Sequence, residues 1–210
     1  IWIGGFYRLK SYNLATKEVC EYNIGYPITY ITQKDEHSLW VGTINGLFVF
    51  DKQHNKVVPF DTKFDIQCIN MIYNDPSGDY SYIGTYGNGL FIYNNRTRQI
   101  TRYYDENCGL ISNNIYSIVP DRNGNLYLGT ENGLSFFNVK ADTFINWTKE
   151  QGLLAASFNP NAAIRTRDGH MIFGSNEGII VLPDSIQLPG TFTSQMIFSD
   201  LSIMYRTVHP

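Results

Sequence analysis

No apolar run in the 210 residues approaches the roughly 20 residues that a helix needs to cross a bilayer. Charge of one sign is also lacking. Sixteen lysines and arginines stand against 19 aspartates and glutamates, for a net −3, and the basic residues are scattered. This balance gives no electrostatic reason to expect nucleic acid or an anionic membrane surface as a partner. Cysteine is scarce: Cys20, Cys68 and Cys108 make an odd count at wide spacing. They form neither a CxxC metal pair nor a disulfide framework, and they leave the compartment open. They read as three small, half-buried hydrophobic residues. Helical periodicity is missing, since no dozen-residue stretch spaces its apolar residues by three and four. The opening "IWIGG" has no charged leader and reads as the interior of a longer sequence, with a signal peptide expected to have been removed.

Aromatic residues, by contrast, are plentiful at 15%, with 15 Tyr and 13 Phe, and they favour strands. So is repetition. The segments "IWIGGFYRLKSYN" (1–13), "LWVGTINGLFVFD" (39–51), "SYIGTYGNGLFIYN" (81–94), "LYLGTENGLSFFN" (126–138) and "MIFGSNEGIIVLP" (171–183) are versions of one phrase. Their shared glycines, Gly4, Gly42, Gly84, Gly129 and Gly174, lie 38, 42, 45 and 45 residues apart. The first copy lacks the Asn-Gly or Glu-Gly pair, and the third carries one extra residue.

Around each phrase the same order recurs. An apolar stretch and an Asp/Asn/Gly turn precede it, and a polar turn and a short strand such as "KVVPF", "QITRYY" or "TFINW" follow. That is four short strands per unit, punctuated as hairpins. Strands such as "LWVG" and "LFVF" are almost continuously apolar, the mark of a sheet covered on both faces. Repeats of 40–45 residues that each form a four-stranded antiparallel sheet are β-propeller blades. A blade cannot cover both of its own faces, so its neighbours must. The shared glycine is expected where adjacent sheets come too close for a Cβ. The fold expected is therefore all-β: a partial ring of about five propeller blades over residues 1–190, the first blade lacking its innermost strand.

The phrase "LWVGTxNGL", with "GLISNNIYSIVPDRNGNLYLGTENGL" (109–134), resembles the two-component regulator propeller repeats of Bacteroides-type hybrid two-component sensors. "FNPNAAIRTRDGHMIFGSNEGIIVLPDSI" (158–186) is similar to the last blade of such propellers, and residues 191–210 resemble the first strands of the Ig-like β-sandwich that follows. The resemblance implies a segment of a larger sensor. It lies in the periplasmic region of an inner-membrane protein, reaches the membrane only through a segment outside these residues, and works as a homodimer. It further implies an oligosaccharide ligand and a cytoplasmic histidine kinase as the output.

Catalytic constellations are hard to find. "GSNEG" (174–178) lacks the central serine of a nucleophile elbow. His37, His54, His170 and His209 sit in separate turns or at the end, without ligand spacing. "NDPSGD" (74–79) lacks the downstream glutamate of a calcium loop. Asp35, Asp75, Asp121 and Asp168 recur at one register, the turn after the innermost strand, and so read as turn chemistry. No cofactor, metal or catalytic residue is expected.

The linkers between units are longer and more varied than the turns at the other end, and uneven loops on a rigid scaffold mark a working face. Sugar hydroxyls pair with amides and carboxylates, and pyranose C–H faces lie on aromatic rings. On those grounds Tyr26, Tyr86, Asn88, Asn113, Glu131 and Asn132, then Asn159 and Asn161, are the candidate ligand contacts. Phe48, Phe50, Phe91, Phe136 and Phe137 are assigned to the core. Two other readings stand beside the sensor: a five-bladed glycosidase or lyase using separated acids, and a scaffold that binds protein.

Overall fold

The computed structural model describes residues 1–184, together with the backbone of Leu201–Ile203 and Arg206–Val208. Every sheet is antiparallel. The first holds β1 (Trp2–Gly4), β2 (Arg8–Tyr12) and β3 (Val19–Asn23). The second holds β4 (Ile28–Gln33), β5 (Ser38–Thr43), β6 (Gly46–Asp51) and β7 (Lys56–Pro59). The third holds β8 (Ile69–Asn74), β9 (Tyr80–Thr85), β10 (Leu90–Asn94) and β11 (Gln99–Tyr104). The fourth holds β12 (Ile115–Pro120), β13 (Leu126–Thr130), β14 (Gly133–Asn138) and β15 (Thr143–Trp147). The fifth holds β16 (Phe158–Arg165), β17 (Met171–Ser175) and β18 (Gly178–Leu182). Strand order follows chain order within each, so these are the expected propeller blades. The first does lack its innermost strand.

The core is divided, lying as four clusters in the seams between successive sheets. Trp40 and Ile69 meet in the second seam, Leu90 and Ile118 in the third, Leu134 and Phe173 in the fourth. All six residues of β5 are buried, as the absence of alternation required. Phe50, Phe91, Phe136 and Phe137 are core, while Phe48 is half-buried at the rim of the first seam.

The shared glycine is a socket. A Cβ on Gly42 would lie 2.7 Å from Ile69, and one on Gly84 would lie 2.8 Å from Ile115 Cγ2. In each case the intruder is the first residue of the next sheet's innermost strand. Gly4 meets Ile28 in the same way, while a Cβ on Gly129 would first meet Ser117 Oγ of its own sheet and then Phe158 at 3.3 Å.

The hydroxyl after that glycine explains the rest of the phrase. Thr43, Thr85, Thr130 and Ser175 each donate to the carbonyl of the hairpin glycine (Gly46, Gly89, Gly133, Gly178) at 2.8 Å. Each also accepts the N–H of the residue before it, at 3.1–3.2 Å. Positive φ falls on glycine, as at Gly133 (φ 125°) and in the longer third hairpin at both Gly87 and Gly89, and not on the preceding Asn or Glu. The Asn side chain is therefore not what makes the turn.

The aspartates at the repeated register are turn formers as expected. Asp121 accepts the N–H groups of Asn123 and Asn125 at 2.8 Å, and Asp35 accepts that of His37 at 2.9 Å. The cysteines differ from expectation: Cys20 and Cys108 are exposed and only Cys68 is half-buried. Cys20 lies on β3 at the rim of the first sheet, and Cys108 in a single 3₁₀ turn on a linker, outside every seam. The proposed start of an Ig-like sandwich falls largely outside the described residues. Within them, Leu201–Ile203 (β19) pairs with Arg206–Val208 (β20) in an antiparallel ladder.

Candidate functional site

The hairpins that carry the Asn-Gly and Glu-Gly pairs lie on the same face as the linkers, and main-chain hydrogen bonds stitch the two together. Ile44 N–H donates to Pro27 O (3.3 Å), Cys68 N–H to Ile44 O (3.0 Å), and Tyr86 N–H to Cys68 O (2.9 Å). Gly87 and Gly89 N–H donate to Asn113 O (3.2 and 3.0 Å), and Glu131 N–H to Asn114 O (3.3 Å). Hairpin tip and linker thus alternate along one rail from the second sheet to the fourth. The register slip at the head of each innermost strand lies beside it, at Ile28/Tyr30, Ile69/Met71 and Ile115/Ser117.

The candidate side chains divide into two groups. Tyr26 and Tyr86 are 39% and 52% exposed. Tyr86 stacks on Tyr116 with centroids 6.3 Å apart, and Tyr26 leans on Phe48 at 5.9 Å. Asn132 is exposed and Asn88 half-exposed; each spends its backbone N–H on the hairpin hydroxyl, and its amide has no partner among the described residues. The other two members of the rail are occupied. Asn113 Oδ1 accepts from Glu106 N–H and its own N–H donates to Glu106 Oε1, both at 3.0 Å. Glu131 Oε2 accepts from Asn114 Nδ2. These two side chains hold the linker 105–114 in place.

Asn159 and Asn161 stand apart in construction. On β16, Phe158 faces Ser175 and the next paired residue, Ala163, faces Phe173. Residues 159–162 therefore bulge out where the other innermost strands spare one. Asn159, Pro160 and Asn161 are exposed, with Asn161 left-handed at φ 56°. The bulge rises on the same face as the rail.

Sequence reasoning missed Phe6 and Tyr7, which are 72% and 52% exposed with rings 5.1 Å apart. They occupy the β1–β2 hairpin, where Gly5 O accepts Ile28 N–H at 3.2 Å and Tyr7 O accepts Ile24 N–H at 2.9 Å. That copy lacks the Asn-Gly pair, so its hairpin was not recognised as equivalent; its position after Gly4 was the available signal. Tyr116 and Leu154, the latter 81% exposed, were missed as well. This face is a shallow platform of rings and amides. A hollow of about 360 Å³ lies on this face between the Asn45–Gly46 hairpin and the linker at 60–67, and another opens at the opposite face. Among the described residues no three His, Cys, Asp or Glu side chains are grouped to share a metal ion.

A repeat-built, one-faced β-propeller is the class that fold and platform define. Residues 109–132 match the model of the two component regulator propeller family, so the chain carries such a repeat, in the fourth blade. A protein named histidine kinase P4 from Formosa agariphila is 24% identical over 180 residues, covering 81% of this chain and 13% of that kinase. The extracellular domain of a putative one component system from B. thetaiotaomicron has a TM-score of 0.71 at 23% identity, over 86% of this chain and 25% of its own. The extracellular domain of a putative hybrid two component system from the same organism has a TM-score of 0.58 at 19% identity, over 99% of this chain and 36% of its own. The chain thus spans about an eighth of the kinase and a quarter to a third of the extracellular domains.

Proposed function

We propose that this chain is a ligand-sensing propeller segment in the periplasmic region of a hybrid two-component regulator. It binds a glycan-derived oligosaccharide and performs no chemistry on it. The observation that carries this reading is the platform: Tyr86 on Tyr116, Tyr26 on Phe48, and the unengaged amides of Asn88, Asn132, Asn159 and Asn161 on one face. Rings present flat apolar area to a pyranose while amides meet its hydroxyls, and the rail fixes the backbone that carries Tyr86, Asn88 and Asn132, which lowers the ordering cost of binding. The regulator propeller repeat at residues 109–132 supports the assignment to a sensor. In the intact protein, ligand biases one arrangement of a homodimer over another, and that bias reaches a cytoplasmic histidine kinase through an Ig-like domain and a membrane helix. Such a bias requires only that the ligand bind one arrangement better.

A thermal-shift screen against defined oligosaccharides, with the sugar assayed afterwards, tests this. One glycan class should stabilise the protein, by about 2.7 kcal/mol at a hundredfold excess over Kd, and be recovered intact. Tyr86→Ala should weaken that binding about tenfold, or 1.4 kcal/mol. Consumption of the sugar would make the chain an enzyme. No shift with any glycan would leave the protein-binding scaffold.

A further inference from the structure

On the face opposite the platform, a cleft of about 700 Å³ opens between the second and third blades. It is built from the turns after β4 and β8 and the hairpins after β6 and β10. Lys34, Asp35, His37, Asp51, Gln53 and Arg98 line it, with Val49 on its wall. Its volume is that of a small-molecule site.

The hydrogen-bond inventory of the cleft is lopsided. Both acids are already engaged. Asp35 accepts from His37 N–H at 2.9 Å and from Lys34 Nζ at 3.1 Å. Burial alone would raise its carboxyl, but the bonds from Ser38, Lys34 and the His37 amide hold it at about 2. Asp51 accepts from Gln53 N–H at 2.8 Å, from His54 N–H at 3.1 Å and pairs with His54 Nδ1 at 2.8 Å. Asn74 Oδ1 accepts from Ser81 Oγ at 2.8 Å, while the Nδ2 groups of Asn74 and Asn95 donate to Gln33 O and Gly78 O.

The two cationic donors are not used up. Arg98 takes part in none of the ion pairs among the described residues, so its guanidinium offers five N–H groups. Lys34 Nζ gives one N–H to Asp35 and is held 5.2 Å from the centroid of the Trp40 ring and 5.8 Å from that of Tyr93, which fixes its charge at the cleft. The His37 ring and the Gln53 amide are exposed and have no partner among the described residues. A hollow whose two carboxylates are engaged by protein donors while its guanidinium is left without a partner favours an acceptor-rich, anionic occupant.

We propose that this cleft is a second ligand site, separate from the platform, for a small sugar bearing a carboxylate or sulfate, with Arg98 as the anion clamp and Lys34 beside it. The site does not depend on the platform's reading. Val49 supplies an apolar wall for the sugar's C–H groups, and Gln53 and His37 meet its hydroxyls.

Isothermal titration of the full chain with D-glucuronate, glucose 6-sulfate and neutral glucose tests the proposal. Saturable binding of one or both anions, with none of glucose, is expected, and the anion that binds identifies the chemistry. Arg98 sits at φ 57°, a conformation Asn tolerates, so Arg98→Asn removes the guanidinium without straining the turn. It should weaken anion binding at least tenfold. Lys34→Met, which keeps an unbranched side chain and removes the ammonium, should weaken it several-fold. Tyr86→Ala should leave it unchanged. Absence of anion binding, equal uptake of glucose, or unaltered affinity in both cleft variants overturns the proposal. Loss of anion binding in Tyr86→Ala assigns the anion to the platform and overturns it too.

Discussion

At the residue scale, the hydroxyl of the repeated phrase does more than the amide beside it. Thr130 is fully buried, donates to Gly133 O and accepts Asn132 N–H, so it closes the hairpin from inside. Thr130→Val keeps the shape and removes both bonds, leaving a buried carbonyl without its donor. Chemical denaturation should show a loss of about 1–3 kcal/mol. Asn132→Ala removes an exposed amide with no internal partner and should change stability by less than about 0.5 kcal/mol, while weakening any sugar bound to the platform. That contrast separates turn formation from recognition at adjacent positions. The sequence showed the recurring Thr/Ser and Asn-Gly letters but not their division of labour. Both residue types favour turns, and only the φ values and the hydroxyl distances assign the turn to Thr and Gly.

At the scale of the element, the innermost strands of the second, third and fourth blades are each seated by their first residue, Ile28, Ile69 and Ile115. Ile115 enters the space over Gly84, and a Cβ there would come within 2.8 Å of its Cγ2. Gly84→Ala should therefore cost about 1–3 kcal/mol through overpacking, measured by denaturant unfolding. In an Ile115→Ala background, where Cγ2 is absent, the added penalty should shrink. The coupling between the two sites should thus be favourable, and additivity would mean the strands are seated by other contacts. This much was legible: a glycine at a fixed place in every copy implied close approach. The identity of the intruder was not, because Ile115 lies 31 residues further along the chain and belongs to a different copy of the repeat.

At the scale of the molecule, stability resides in four seams, each holding its own cluster. Tyrosines line them with their phenols shielded. Burial, with a smaller push from nearby aspartates, raises Tyr73, Tyr82 and Tyr127 to about 12. An unfolded tyrosine ionises near 10. A phenol raised in the folded state stabilises fully below the unfolded value and ceases to do so as pH climbs through the folded one. Stability should hold to about pH 10 and fall between pH 10 and 12. Tyrosinate absorbance followed against pH should show a late group that appears together with unfolding. Phenols that all titrate near 10 with the fold intact would mean the seams are open to water.

The sequence by itself determined the architecture, because a blade is a local object. Its strands, turns and buried threonine are written within 45 residues and repeated, so periodicity alone reveals them. It also determined that one face carries the varied linkers. Only the tertiary structure decided which polar side chains remain free there. Asn113 and Glu131 look like Asn88 and Asn132 as letters, yet they are spent on Glu106 and Asn114. Phe6 and Tyr7 join the platform because Gly5 and Tyr7 carbonyls meet the linker that leads into the second blade. The opposite cleft forms where turns of two different repeats meet, and whether a donor there is free depends on partners brought in from distant segments. Local pattern writes the blade, and the seam between blades decides what is left over to bind.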